Sequence, residues 1–229
     1  MKKNSHIEKL AFGILPKNSQ KGTLYFGGIP SEITNHKKFK VYIRTYNNTW
    51  SATLNSIQFY YTKRKDNNKL NFTFMNNLKD NSYIYENIIY FQMNINTINV
   101  PENYMNYLTQ VSFFNQLINK GICFYVNSTT EIYISCNYRD FSSFPEYIVF
   151  TLSDIPFTSK ITELFECNKQ NCKFLMTHLT NKENSFILGY VFMSKFLSEF
   201  NVETKSITFY SDIPFGIPII INKKFLKNF

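Results

Sequence analysis

The side chains available for chemistry in this 229-residue chain are mostly amides, phenols and thiols rather than paired carboxylates. An apolar run, Ile88-Ile89-Tyr90-Phe91, passes into Gln92-Met93-Asn94-Ile95-Asn96-Thr97, and Pro101 follows. Three amides, Gln92, Asn94 and Asn96, therefore gather where a strand pattern gives way to a turn. An amide donates and accepts hydrogen bonds but does not titrate. Such a cluster can hold a ligand, but it cannot take a proton from water and return it to a leaving group. His6, His36 and His178 share no motif. A thiol nucleophile built from Cys123 or Cys172 with His178 is open on residue type alone and has no local motif behind it. The chain has no Gly-x-Ser-x-Gly elbow, phosphate loop, EF-hand or zinc-protease helix. Cys123, Cys136, Cys167 and Cys172 allow three pairings. They lack Cys-x-x-Cys spacing, so no metal is expected, and nothing in the chain calls for a cofactor.

These residues must be positioned mainly by strands. Twenty-four Phe and 16 Tyr suit pleated, half-buried surfaces. Strand patterns occur over Thr23–Gly27, Val41–Thr45, Ser51–Tyr60, Tyr83–Met93, Ile122–Val126, Glu131–Cys136, Tyr147–Leu152, Lys173–His178 and Ile207–Tyr210. Pro101 suits a first helical turn, and Tyr104, Leu108 and Val111 follow at helical spacing. A second helical pattern runs over Tyr190–Phe200 through Val191, Phe192, Phe196 and Leu197. The expected fold is mainly β with two short helices. Thr62 to Asn81, rich in Asn and Lys, reads as an enlarged hairpin loop.

Net charge is +9 and uneven. Residues 1–69 hold 13 Lys/Arg against 3 Asp/Glu, whereas residues 70–229 hold 12 against 13. The clusters Lys37-Lys38-Phe39-Lys40 and Lys63-Arg64-Lys65 fall in loop-like sequence with no helix-turn-helix, RNP or zinc-finger signature, which argues against specific nucleic-acid recognition. The 29 asparagines read as a compositional bias, not a binding device. No stretch is apolar over 18 residues, so no transmembrane segment is expected. The N-terminal Met1-Lys2-Lys3-Asn4-Ser5 lacks the apolar core of a secretory signal.

Several ordered segments together resemble the C-terminal lobe of the pepsin-like aspartic proteases. They are Gly22-Thr23-Leu24-Tyr25-Phe26-Gly27-Gly28, Trp50-Ser51-Ala52-Thr53-Leu54-Asn55-Ser56-Ile57, the Gln92 segment, Phe144-Pro145-Glu146-Tyr147-Ile148-Val149-Phe150, Ile187-Leu188-Gly189-Tyr190-Val191-Phe192, and Phe200-Asn201 with Ile207-Thr208-Phe209. In that family a strand delivers Asp-Thr-Gly nine positions before a proline. Counting back from Pro101 lands on Gln92. The resemblance therefore places Gln92, Met93 and Asn94 where the family has its catalytic loop, and Tyr190 where it has a cleft aspartate. Gln92, Asn96 and Tyr190 become cleft-lining candidates, and no catalytic residue carries over. Two aspartates sharing a proton are what the family's chemistry needs. The five aspartates here (Asp66, Asp80, Asp140, Asp154 and Asp212) supply no Asp-Thr-Gly or Asp-Ser-Gly.

The resemblance implies a lobe with its lead-in over residues 1–212, an apolar and basic tail over 213–229, and no counterpart of the family's N-terminal lobe. It also implies a disulfide from Cys136 to Cys172, with Cys136–Cys167 the alternative and Cys123 free or paired with the remainder. That bond, with sequons at Asn47, Asn71 and Asn127, suits a secretory or vacuolar setting. The missing signal is then explained if this is the C-terminal part of a longer product. Three functional readings follow. One is a proteolytically inactive lobe that binds another protein or a peptide. The second is part of an aspartic endopeptidase whose N-terminal lobe lies upstream. The third is a cationic surface-binding protein.

Overall fold

The computed structural model describes residues 9–18, 21–35, 37, 39–45, 49–65, 69–75, 88–110, 112–137, 144–181 and 185–212. The lead-in is a hairpin of β1 (Ala11–Asn18) and β2 (Lys21–Phe26), one helical turn α1 (Ser31–Thr34), and β3 (Phe39–Arg44). β4 (Ser51–Lys65) and β5 (Lys69–Met75) pair as a long hairpin. β6 (Ile88–Phe91) and β7 (Ile98–Asn99) flank the Gln92 turn, and α2 (Glu102–Gln110) and α3 (Phe113–Asn119) follow. Next come β8 (Cys123–Asn127), β9 (Glu131–Asn137), β10 (Tyr147–Leu152) and β11 (Ile155–Lys160). A 3-10 turn (Ile161–Leu164) leads to β12 (Phe165–Cys167), β13 (Asn171–Phe174), β14 (Met176–Leu179) and β15 (Phe186–Leu188). The described chain closes with α4 (Tyr190–Met193), β16 (Leu197–Asn201) and β17 (Ser206–Ser211).

Two sheets share these strands. One has the order β2-β1-β16-β17-β3. The other runs β11-β10-β4-β6-β15-β7-β14-β9-β13-β12, with β5 added to β4 and β8 to β9. One face of the five-stranded sheet is defined by its register. Phe12 sits opposite Phe26 and Phe200, Phe200 opposite Ile207, and Ile207 opposite Ile43. Ile43, Phe200, Ile207 and Phe209 on this face are buried in the same core as the larger sheet. Burying rings here is the main stabilising term, at about 25 cal/mol per Å² of apolar surface. Phe157 packs edge-on against Phe196 and Phe209 at 5.5 and 5.3 Å, and Trp50 meets Phe12 and Phe200 at 5.8 and 5.1 Å. Coverage stops short of the edge strand: Leu24 and Phe26 of β2 continue the apolar face but stay 52% and 73% exposed. The opposite face is covered locally, where Ile29, Leu197 and Tyr210 form a small cluster with Leu15, Tyr25 and Ile33.

The mainly β expectation holds, with four short α-helices among the described residues where two were expected. The pattern over Tyr190–Phe200 yields a helix only to Met193, and Leu197–Asn201 is instead a strand between β1 and β17. Leu197 to Phe200 are all buried, so pairing on both edges overrides a local 3.6-residue pattern that would leave half of them facing out. The Lys173–His178 pattern is two strands, because β13 and β14 separate at Leu175. β4 runs beyond Tyr60 to Lys65, and β5 takes up part of the expected Thr62–Asn81 loop. His6, His36, Asn47 and the 213–229 tail lie outside the described residues.

The helical segment after Pro101 also divides, at Ser112. Its hydroxyl donates to the Leu108 carbonyl, ending α2, and accepts the Phe114 N–H at 3.2 Å, starting α3. Ser112 is buried, so water cannot replace either bond. Ser112→Ala is expected to cost about 1–2 kcal/mol, read from the urea midpoint, with the fold retained. An unchanged midpoint would show that the hydroxyl does not hold this junction.

Candidate functional site at the Gln92 turn

β6 ends beside β15 in parallel register, Phe91 opposite Leu188. The pairing continues one residue further, where the Gln92 N–H donates to the Leu188 carbonyl at 3.1 Å. The chain then reverses, with the Ile95 N–H donating to the Gln92 carbonyl at 3.4 Å. It next passes under the start of α4, where the Tyr190 N–H reaches the Ile95 carbonyl at 2.6 Å and the Val191 N–H reaches the Asn96 carbonyl at 3.2 Å. β7 finally inserts between β15, antiparallel, and β14, parallel. The turn is thus held on three sides by backbone.

Gly189 makes this approach possible. A Cβ there would lie 2.1 Å from the Thr97 carbonyl oxygen and 2.3 Å from that of Ile95. The reason is proximity and not conformation, since φ is −87°. Below the turn, fully buried Asn99 ties three segments. Its Nδ2 donates to the Ser185 carbonyl at 2.7 Å and its Oδ1 accepts the Leu179 N–H at 2.8 Å. The hydroxyls of Thr97 and Thr177 pair at 3.0 Å, and His178 Nδ1 lies 3.0 Å from the Val100 carbonyl.

Of the residues expected at the site, Gln92, Met93 and Tyr190 are half-buried, while Asn94 and Asn96 are exposed. Met93 packs against the core. Asn94 tolerates left-handed backbone, but the turn does not use it: among the described residues, the non-glycine positions with positive φ are Ser153, Asp154 and Lys205. The structure brings Gln92, Asn96 and Tyr190 to one place through the backbone bonds above. Neither described aspartate is there. Asp154 bonds Asn55 in the β10–β11 turn, and Asp212 pairs with Lys37 at 2.5 Å. Among the described residues, no three His, Cys, Asp or Glu side chains converge as metal ligands, and no helix is long and apolar enough to cross a membrane. What the turn offers a ligand is an amide, a phenol and exposed asparagines.

The sequence reading passed over Asn99, Thr97, Thr177 and Gly189. Gly189 carries no local signal; for Asn99, Thr97 and Thr177 the signal is a polar residue in a segment otherwise as apolar as a core strand, which requires buried partners. Glu199 carries the same signal. It is buried on β16 and accepts the Ile29 N–H at 3.2 Å. Burial first, and the Glu199 charge second, push the nearby Tyr210 phenol up to about 12.

The disulfides differ from the pairing implied by resemblance. Cys136 bonds Cys123, not Cys172 or Cys167, and Cys167 bonds Cys172. Each bridge closes a local hairpin: β8 and β9 place Cys123 opposite Cys136, and β12 and β13 place Cys167 opposite Cys172.

Among solved structures, the fold is similar to the crystal structure of aspartic proteinase from Irpex lacteus, with a TM-score of 0.58 at 12% identity. The match covers 91% of this chain but 58% of the proteinase chain. No curated protein matches the sequence. The family model described as eukaryotic aspartyl protease matches residues 1–211. With that match over nearly the whole length, and a fold in agreement with it, the chain belongs to the eukaryotic aspartyl protease family.

Proposed function

We propose that this chain is a proteolytically inactive family member that works by binding another protein or a peptide. One observation carries the reading. The residue that continues β6 alongside Leu188, at the position where the family resemblance expects an aspartate, is the amide Gln92. Peptide hydrolysis by this family needs one ionised and one protonated carboxyl sharing a proton, and a glutamine supplies neither state. Hydrogen-bonding capacity without a proton carrier suits recognition rather than turnover.

The purified chain is expected to cleave no peptide between about pH 3 and 7 and to bind no statine-type inhibitor tightly, because it lacks the two carboxyls that share a proton in such a dyad. Gln92→Asp alone should not create activity, since Met93 and Asn94 still replace the family's threonine and glycine. Pepstatin-sensitive cleavage by the unmodified chain would overturn the reading.

A second reading is that the chain is part of an aspartic endopeptidase whose N-terminal lobe lies upstream. Two observations favour it: the chain spans 58% of the proteinase it matches, and the apolar face of the five-stranded sheet runs on to exposed Leu24 and Phe26. Full-length transcript sequencing separates the two readings, because an upstream Asp-Thr-Gly segment belongs only to the second.

A further inference from the structure

The four cysteines stand in a single row. Cys123 of β8 is the register partner of Cys136 of β9, Cys136 is also the partner of Cys172 of β13, and Cys172 is the partner of Cys167 of β12. Directly opposed residues of antiparallel strands share a sheet face. The row therefore crosses four adjacent strands on one face, with sulfurs in the order 123, 136, 172, 167. Cys123, Cys136 and Cys172 are fully buried, whereas Cys167 at the end of the row is exposed. The two observed bridges join the first and last pairs. The middle pair, Cys136 and Cys172, is unbridged although its register is the same. Antiparallel partners lie about 4.5–5.5 Å apart at Cα, within the roughly 4.4–6.8 Å that a disulfide spans.

From this row we propose that the two bridges form a thiol–disulfide exchange site, entered at Cys167 by a small external thiol, in which Cys136 changes partner from Cys123 to Cys172. The external thiolate attacks the exposed Cys167 Sγ and expels Cys172 as thiolate, leaving a mixed disulfide on Cys167. β9 lies between β8 and β13, so the Cys172 thiolate meets Cys136 Sγ from the side opposite Cys123. That is the approach displacement at sulfur needs. A Cys136–Cys172 bond forms, the Cys123–Cys136 bond breaks, and Cys123 leaves as a thiolate that takes a proton. A second external thiol then resolves the mixed disulfide. The protein gains two thiols, at Cys123 and Cys167, and two external thiols become one disulfide. The consequence is local. Cys123 begins β8, which among the described residues pairs with β9 alone and carries exposed Phe124 and Tyr125, so exchange releases the covalent tie of an edge strand.

The test uses the folded, unmodified chain with graded reduced glutathione, acid quench, thiol alkylation and non-reducing peptide mapping. The first two-thiol species is expected to be alkylated mainly on Cys123 and Cys167 and to contain a Cys136–Cys172 cross-link. Alkylation mainly on Cys167 and Cys172, with Cys123–Cys136 intact, would overturn the proposal. Cys167→Ala gives a second reading without added reductant. Loss of the Cys123–Cys136 cross-link in favour of Cys136–Cys172, with the thiol moved to Cys123, supports exchange, and a thiol that stays on Cys172 refutes it.

Discussion

Gly189→Ala should lower stability by about 3 kcal/mol or more, near the upper end of what overpacking produces. The added methyl would sit 2.1 and 2.3 Å from two carbonyl oxygens. Both belong to backbone of the Gln92 turn, so no side-chain rotamer can relieve the contact. The turn and α4 must separate instead. Separation breaks the bonds from the Tyr190 N–H to Ile95 and from the Val191 N–H to Asn96, and leaves the carbonyl of buried Ile95 without that partner. Urea unfolding of the two proteins measures the effect. A midpoint for the variant equal to that of the parent would mean that the close approach at Gly189 is not required by the fold.

For Asn99→Asp the expected deficit is about 3–5 kcal/mol at neutral pH, the range for an uncompensated buried charge. The oxygen that replaces Nδ2 would face the Ser185 carbonyl across 2.7 Å, acceptor against acceptor, at a fully buried site. Burial and the facing carbonyl both disfavour the charged form, so the folded-state pKa of the new carboxyl lies above its unfolded value of about 3.9. The sign follows. Below the unfolded pKa both states are protonated and the charge penalty is absent. The penalty grows as pH rises toward the raised folded pKa and is complete above it. Protonated, the carboxyl can also donate to Ser185 as the amide does. The deficit relative to the parent should therefore shrink from pH 7 toward about pH 4. Equal deficits at both pH values would show that Asn99 matters through shape alone.

These two positions separate what local pattern encodes from what long-range pairing decides. The apolar run before Gln92, the turn after it and the helix after Pro101 were legible, because strand alternation, turn chemistry and helix starts are local properties. So was the chemical limit of the site, since a glutamine cannot titrate in any fold. Family membership was legible from the order of the segments around Trp50, Gln92, Phe144 and Ile187. The bridge partners of Cys136 were not. The register of β9 offers it two neighbours, Cys123 and Cys172, and residue spacing does not tell which hairpin closes on it. The strand at Leu197–Asn201 was hidden for a related reason. Its apolar residues suit a helix face as well as a strand buried on both sides, and only β1 and β17 at its edges select the strand. Gly189 has no local meaning either, and Asn99 shows locally only that it needs partners, not which ones. One is required because Ile95 and Thr97, more than 90 residues earlier, pass against it. The other is required because Leu179 and Ser185 each leave a backbone group to be met. Sequence by itself determined the type of each element and the chemistry Gln92 cannot do. Tertiary structure decided which distant atoms meet, because contact between segments far apart in the chain depends on register and threading, which no local window of residues contains.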